Sequence, residues 1–157
     1  TDQWRLMHIG AQPVPPSLIR HWLDYFPNHK YDTNYGLSES TGPGCVHLGI
    51  NNIHKVGAIG VPGYGWKTKI VDENANIVPQ GEVGELCVKG PGVMVEYYKD
   101  PEATDEVVKL HADGQRWLHT GDLGYLDENG VLYVTGRIKR ILMTKGREYH
   151  QNLPRSD

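Results

Sequence analysis

Two hydrophobic periods run along this 157-residue chain, and the change from one to the other divides it. Arg5 to Ile9 is a short apolar-rich run that ends at Gly10, followed by Pro13, Pro15 and Pro16, the pattern of a buried strand and a turn. Leu18, Ile19, Trp22, Leu23 and Phe26 then recur at helical spacing. They make one face of a helix that begins near Pro16 and is stopped by Pro27, with Arg20, His21 and Asp24 on the other face. Lys30 to Tyr35 reads as a second strand, and Gly36 to Gly44 as a polar loop at its carboxyl end. Strand, helix and strand in succession predict an α/β unit.

From about Val56 the pattern becomes short runs of β formers between turns: Lys67 to Val71, Glu85 to Lys89, Val93 to Tyr97, Trp117 to His119, Leu123 to Leu126 and Val131 to Val134. These predict an antiparallel sheet or small barrel. Asp72-Glu73-Asn74-Ala75 and Asp127-Glu128-Asn129-Gly130 share turn chemistry and read as two separate hairpins. One helix interrupts the strands, with Asp100 as its N-cap and Pro101 in the first turn, running to about Lys109. Gly136 to Gly146, basic and half apolar, reads as a linker into a further domain.

Composition narrows the classes. Lysine and arginine number 16 against 19 acidic residues, a net charge of −3, which argues against a surface built to neutralise nucleic acid or an anionic membrane. No apolar stretch approaches the roughly 18 residues that span a bilayer, and Thr1-Asp2-Gln3-Trp4 has neither a basic head nor an apolar core. Cys45 and Cys87 lack metal-ligand spacing, and the eight histidines show neither H-x-x-x-H nor H-E-x-x-H. A reduced, cytoplasmic protein without a zinc site is therefore expected. The chain also opens without Met, which reads as a piece of something larger.

Three groups of residues could carry chemistry. Asn34 to Gly42 lies at the carboxyl end of an α/β strand, where such sheets bind ligands. Tyr35 offers a face for a base, Ser38 and Thr41 offer hydroxyls for phosphate, and Glu39 a hard oxygen for magnesium. Taken by itself, the same loop reads first as a solvated one in which Ser38 and Glu39 cap local backbone. In Trp117 to Gly124, the Asp122 carboxylate suits a ribose diol, or else is simply a turn residue. In Gly136-Arg137-Ile138-Lys139, Arg137 is suited to a ribose or phosphate and Lys139 to a point charge or pivot, unless both are merely solvated. No G-x-x-x-x-G-K-S/T loop occurs, so a nucleotide site here cannot be of the Walker type.

Taken in order, these groups resemble the adenylate-forming superfamily of acyl-CoA synthetases, acyl-AMP ligases, peptide-synthetase adenylation domains and firefly luciferase. Tyr35-Gly36-Leu37-Ser38-Glu39 is similar to its Y-G-x-S/T-E motif. Gly84 to Gly90, with Tyr97, Tyr98, Pro101 and Thr104, is similar to its G-E-L segment, and Thr120-Gly121-Asp122-Leu123-Gly124 to T-G-D-L-G. Gly136 to Lys139 resembles G-R-x-D/K, and Gly10-Ala11-Gln12-Pro13 a variant of a G-A-E-P turn.

The resemblance implies an α+β chain in three parts. Residues 1–54 would be the strand-helix-strand end of an α/β subdomain, 55–136 a small antiparallel β-barrel subdomain, and 137–157 the hinge and start of a further C-terminal domain. It implies that Tyr35 stacks on adenine beside Gly36, with Gly10, Ala11 and Gln12 lining the base. Ser38 would touch the α-phosphate and Glu39 would hold Mg2+. Asp122 and Arg137 would bind the ribose, and Lys139 would be the hinge. The implied reaction uses ATP to activate a carboxylic acid as an acyl-adenylate, then passes the acyl group to coenzyme A. A carrier protein is an alternative acceptor; a non-catalytic β-rich ligand-binding module is the alternative from another class. The superfamily's Ser/Thr/Gly-rich phosphate loop and late C-terminal lysine are absent from these 157 residues, so the chain by itself is expected to be inactive.

Overall fold

The computed structural model describes residues 3, 5–10, 14–49, 54–144 and 147–152, with backbone alone at 43 and from 139 onward. Strand β1 (Leu6–Ile9), helix α1 (Pro16–Tyr25) and strand β2 (Lys30–Leu37) form the expected α/β unit, β1 and β2 being parallel. Pro16 opens α1 at a position where a missing N–H costs nothing, and the apolar face set by Ile19 is buried against Tyr31, Leu48, Ala58 and Val131.

The polar loop expected over Gly36 to Gly44 is instead a hairpin. Strand β2 runs on to Leu37, a 3-10 turn occupies Ser38–Ser40, and β3 (Gly42–His47) returns antiparallel to β2. Thr41 turns the chain in the left-handed region at φ 60°. Strand β4 (Val61–Pro62) adds to β3, giving the sheet order β1-β2-β3-β4.

The second sheet contains β5 (Lys67–Val71), β6 (Gly84–Lys89), β7 (Val108–Leu110), β8 (Arg116–Leu126) and β9 (Leu132–Arg137). Its order is β5-β6-β8-β7, with β9 also on β8, all antiparallel. Helix α2 (Pro101–Val107) is capped by the Asp100 side chain, which accepts from Ala103 N at 3.0 Å, and ends two residues before the expected Lys109 because Val108 begins β7. The expected strand Val93 to Tyr97 does not form. Its backbone is spent elsewhere: Met94 N donates to Glu39 O at 2.7 Å and Tyr97 N to Thr104 Oγ1 at 2.9 Å. The expected linker is a hairpin of β10 (Lys139–Thr144) and β11 (Arg147–Asn152).

The two sheets share one core, in which Cys45 and Val46 of β3 pack with Ile70, Leu86, Val88, Val108, Leu118 and Leu132. Backbone bonds stitch them as well, with Ile59 N donating to Leu132 O at 2.7 Å and Leu132 N to Gly60 O at 2.8 Å. This junction brings the end of β2 against the middle of β8 and the end of β9.

Candidate functional site

Strand β8 is the spine of the site. Its 11 residues join two runs that the sequence pattern separates, and Gly121, at φ 70°, supplies the bend between them without a Cβ penalty. Glu85 of β6 holds that bend from both sides. One carboxylate oxygen accepts from Gly121 N at 3.0 Å and the other lies 2.7 Å from His119 Nδ1. Burial works against the Glu85 charge, but these hydrogen bonds outweigh it and keep the carboxyl below its usual range. Thr120 Oγ1 donates to Leu86 O at 2.8 Å, and Asp122 N donates back to Thr120 Oγ1 at 3.1 Å. The glutamate of the G-E-L segment thus sets the shape of the T-G-D bend.

Asp122 is 5% exposed, and two of the sequence-predicted residues converge on it. Tyr35, 87 positions upstream, donates its hydroxyl to Oδ2. Arg137, opposite Asp122 in the β8·β9 register, donates Nε to Oδ1 at 2.6 Å. Burial and the Asp122 charge push the Tyr35 phenol well above its ordinary range, so it remains a donor. The hydrogen bond and charge of Asp122 in turn raise the Arg137 value and keep the guanidinium charged. A carboxylate has about four acceptor positions, so Asp122 retains capacity for two further donors.

The 3-10 turn presents Ser38 and Glu39 beside this group. Capping of the turn falls to Ser40, not to Ser38 or Glu39: Leu37 N donates to Ser40 Oγ at 2.9 Å, and that hydroxyl bonds Leu37 O and Gly42 O at 2.9 and 3.0 Å. Ser38 is left exposed at the start of the turn. Glu39 Oε1 accepts from the Tyr97 hydroxyl at 2.6 Å, and burial, followed by that hydrogen bond and the Glu39 charge, pushes Tyr97 up to about 12. Glu39, Tyr97, His119, Thr120 and Arg137 border a hollow of about 90 Å³. That is room for a few waters, against the roughly 300–1,000 Å³ of a ligand pocket. Tyr97 is the site residue that reasoning from the three groups missed, although it stood in the G-E-L segment.

Gly10 closes β1 and faces Asn34 so tightly that a Cβ there would lie 2.7 Å from Asn34 Oδ1. Gly36 sits at the irregularity in the β2·β3 register, next to Tyr35. Ala11 and Gln12 lie outside the described residues, and Lys139 is described only as the first residue of β10.

The spacing along the chain offered no metal-ligand pattern around Cys45 or Cys87, yet the strand register places two histidines beside Cys87. Cys87 of β6 is the cross-strand partner of His119, and His111, in the turn after β7, completes a buried cluster. Linear spacing along the chain does not report such neighbours.

The sequence model of AMP-binding enzymes matches residues 1–98. The chain belongs to this family. The long-chain-fatty-acid–CoA ligase of Salmonella typhimurium is 38% identical over 147 residues, covering 91% of this chain and 24% of the relative. The chain therefore spans about a quarter of the length of that curated relative. Among solved structures, a long-chain-fatty-acid–CoA ligase from Archaeoglobus fulgidus superposes with a TM-score of 0.79 at 26% identity, covering 85% of this chain and 28% of that one. The amide bond synthetase McbA from Marinactinospora thermotolerans gives 0.76 at 29% identity, covering 92% and 28%. The AMP-binding fold is thus α+β and rich in strands here, and among the described residues no helix is long and apolar enough to cross a membrane.

Proposed function

We propose that this chain is the nucleotide-gripping segment of an AMP-forming acid–thiol ligase. The observation that carries the reading is the convergence of Tyr35 and Arg137 on a single buried carboxylate, Asp122. In this reading, adenine lies on the ring of Tyr35 beside Gly36 and near Gly10, Ala11 and Gln12. The ribose hydroxyls use the remaining acceptor positions of Asp122, with Arg137 as a further contact. Ser38, whose hydroxyl Ser40 relieves of capping, meets the α-phosphate.

Glu39 fits a magnesium site. It offers a single hard carboxylate with one oxygen engaged by Tyr97, the kind of sparse protein contact that Mg2+ shares with substrate phosphates. The ion, when bound, would offset phosphate charge. The residues of the chain supply position: Glu85 fixes the bend that aims Asp122, and Tyr97 fixes the rotamer of Glu39. A carboxylic acid is activated against ATP as an acyl-adenylate with release of pyrophosphate, and the thiol of coenzyme A then takes the acyl group with AMP as the leaving group. The names of the Salmonella and Archaeoglobus relatives support a CoA acceptor, whereas that of McbA attaches the same fold to amide formation. A carrier protein remains the alternative acceptor.

In the domain plan that accompanies this reading, residues 1–54 end an α/β subdomain and 55–136 form a barrel-like subdomain. Residues 137–157 carry the hinge at Lys139 toward a further domain. A cytoplasmic location is consistent with two unpaired, buried cysteines. The 90 Å³ hollow is part of a pocket wall, so the 157 residues alone hold nucleotide weakly and release no pyrophosphate.

The test is ATP–pyrophosphate exchange by the full-length protein. Asp122→Ala should weaken nucleotide binding by about 1.5–3 kcal/mol, the value of hydrogen bonds to a charged group. Lys139→Pro should slow thioester formation more than adenylation. An unchanged Michaelis constant for ATP together with unchanged turnover in Asp122→Ala would remove the reading.

A further inference from the structure

Behind the bend that carries Asp122, three side chains from different elements meet in the protein interior. Cys87 of β6 is fully buried, His111 in the turn after β7 is 7% exposed, and His119 of β8 is 9% exposed. One ligand atom from each lies within 4.8 Å of the other two. The two imidazoles face each other through Nε2 atoms 2.9 Å apart. His119 borders the 90 Å³ hollow, but the function proposed above gives no role to Cys87 or to the facing Nε2 atoms of the two histidines, so the cluster needs its own account.

Its chemistry is that of a transition-metal site. Glu85 Oε2 lies 2.7 Å from His119 Nδ1, which fixes the proton on Nδ1 and leaves the Nε2 lone pair directed at His111. A carboxylate behind a ligating histidine is the arrangement that orients imidazole for metal and raises its basicity. The hydrogen between the two Nε2 atoms must then come from His111. His111 Nδ1 is buried with no hydrogen-bond partner, so it can take that hydrogen and release a second lone pair toward the same point. Tetrahedral zinc with bonds of about 2.0–2.3 Å needs its ligand atoms about 3.3–3.6 Å apart. The imidazole nitrogens, 2.9 Å apart, open slightly to meet this, and the sulfur, within 4.8 Å of its partners, closes by at most about 1.5 Å.

Burial, then the Glu85 charge, pushes the Cys87 thiol up to about 12, so without a cation the sulfur stays protonated. Lys69, whose positive charge reaches Cys87 and His111 and so works against a cation there, is engaged by Asp113 at 3.6 Å and by the Trp117 ring at 4.1 Å. One thiolate and two imidazoles select Zn2+ over Mg2+ or Ca2+, which take oxygen.

We infer that Cys87, His111 and His119, oriented by Glu85, form a buried zinc site that clamps β6, the β7–β8 turn and β8 together behind the nucleotide-binding bend. On binding, the Cys87 sulfur forms a bond to zinc and its proton passes to solvent, while the two histidines bind as neutral ligands. The fourth position falls to water.

The test uses reduced, metal-free full-length protein titrated with Zn2+ alone, and with Co2+ alone as a coloured substitute. The site predicts one ion per chain, proton release, a rise in melting temperature and a thiolate-to-cobalt charge-transfer band that survives Cys45→Ser. Cys87→Ser and His111→Gln should each weaken binding by at least about 100-fold, and Glu85→Gln by about 10–100-fold. The cobalt band is read on the unmodified protein, so it decides even if a variant misfolds. Absence of stoichiometric binding, cobalt bound without a thiolate band, or affinity unchanged in Cys87→Ser overturns the site.

Discussion

Asp122 is held by two donors whose surroundings differ, and the difference can be measured. The Tyr35 hydroxyl is part-buried, whereas the Arg137 side chain is 59% exposed. Losing Asp122 therefore strands the phenol, while water repairs the guanidinium. Hydrogen bonds to a charged group contribute about 1.5–3 kcal/mol, and that is the coupling expected between Tyr35 and Asp122. The Arg137 contact, discounted for exposure, contributes about 1 kcal/mol or less. A double-mutant cycle of Tyr35→Phe and Asp122→Ala, read by urea unfolding at neutral pH, isolates the first quantity because each single variant absorbs its own packing change. Tyr35→Phe alone should destabilise by about 1.5–3 kcal/mol while keeping the aromatic face. A coupling energy below about 0.5 kcal/mol would show that the carboxylate does not depend on the phenol, and the pre-formed site would lose its foundation.

Other consequences of the same geometry are open to measurement. Ser40→Ala should cost about 1–3 kcal/mol in urea unfolding, because Leu37 N loses its buried acceptor, while Ser38→Ala should stay within about 0.5 kcal/mol; equal effects would refute the division of labour in the turn. Gly60→Ala should cost about 3 kcal/mol or more in thermal unfolding, since its Cβ would fall 1.9 Å from His47 O at φ 125°, and a loss below about 1 kcal/mol would contradict that packing. Asp127 pairs with Lys55, which together with the backbone bonds of its turn lowers its carboxyl below the ordinary 3.8. A depressed carboxyl contributes stability above the unfolded value and loses it as pH falls through the folded one. Asp127→Asn should therefore lower the melting temperature at pH 7, with the gap closing below about pH 3.8; a gap independent of pH would refute the ionic origin.

Local chemistry was legible in the sequence wherever neighbours in the chain are neighbours in space. Helix α1 follows from its apolar face and bounding prolines, and the two Asp turns from side chains that reach their own backbone. Asp72 Oδ1 accepts from Asn74 N and Asn76 N at 2.9 Å, and Asp127 Oδ1 from Asn129 N and Val131 N at the same distance. Strand β3 was hidden because Gly42, Pro43 and Gly44 look like loop, and only pairing with β2 makes them strand. Val93 to Tyr97 has strand composition, yet tertiary bonds to Glu39 and Thr104 claim its backbone. Tyr35, Asp122 and Arg137 were chosen by motif, but their meeting depends on sheet register and on a bend whose holder, Glu85, is invisible to spacing. The Cys87 cluster was missed for the same reason: its members are 8 to 32 positions apart and join only across strands.

The central claim is that one adenosine is gripped jointly by Tyr35 and Asp122. A crystal structure of the full-length protein with AMP tests it directly. Adenine should stack on the Tyr35 ring, with both ribose hydroxyls within hydrogen-bond reach of Asp122. AMP bound elsewhere, with Asp122 contacted only by Tyr35 and Arg137, would contradict it.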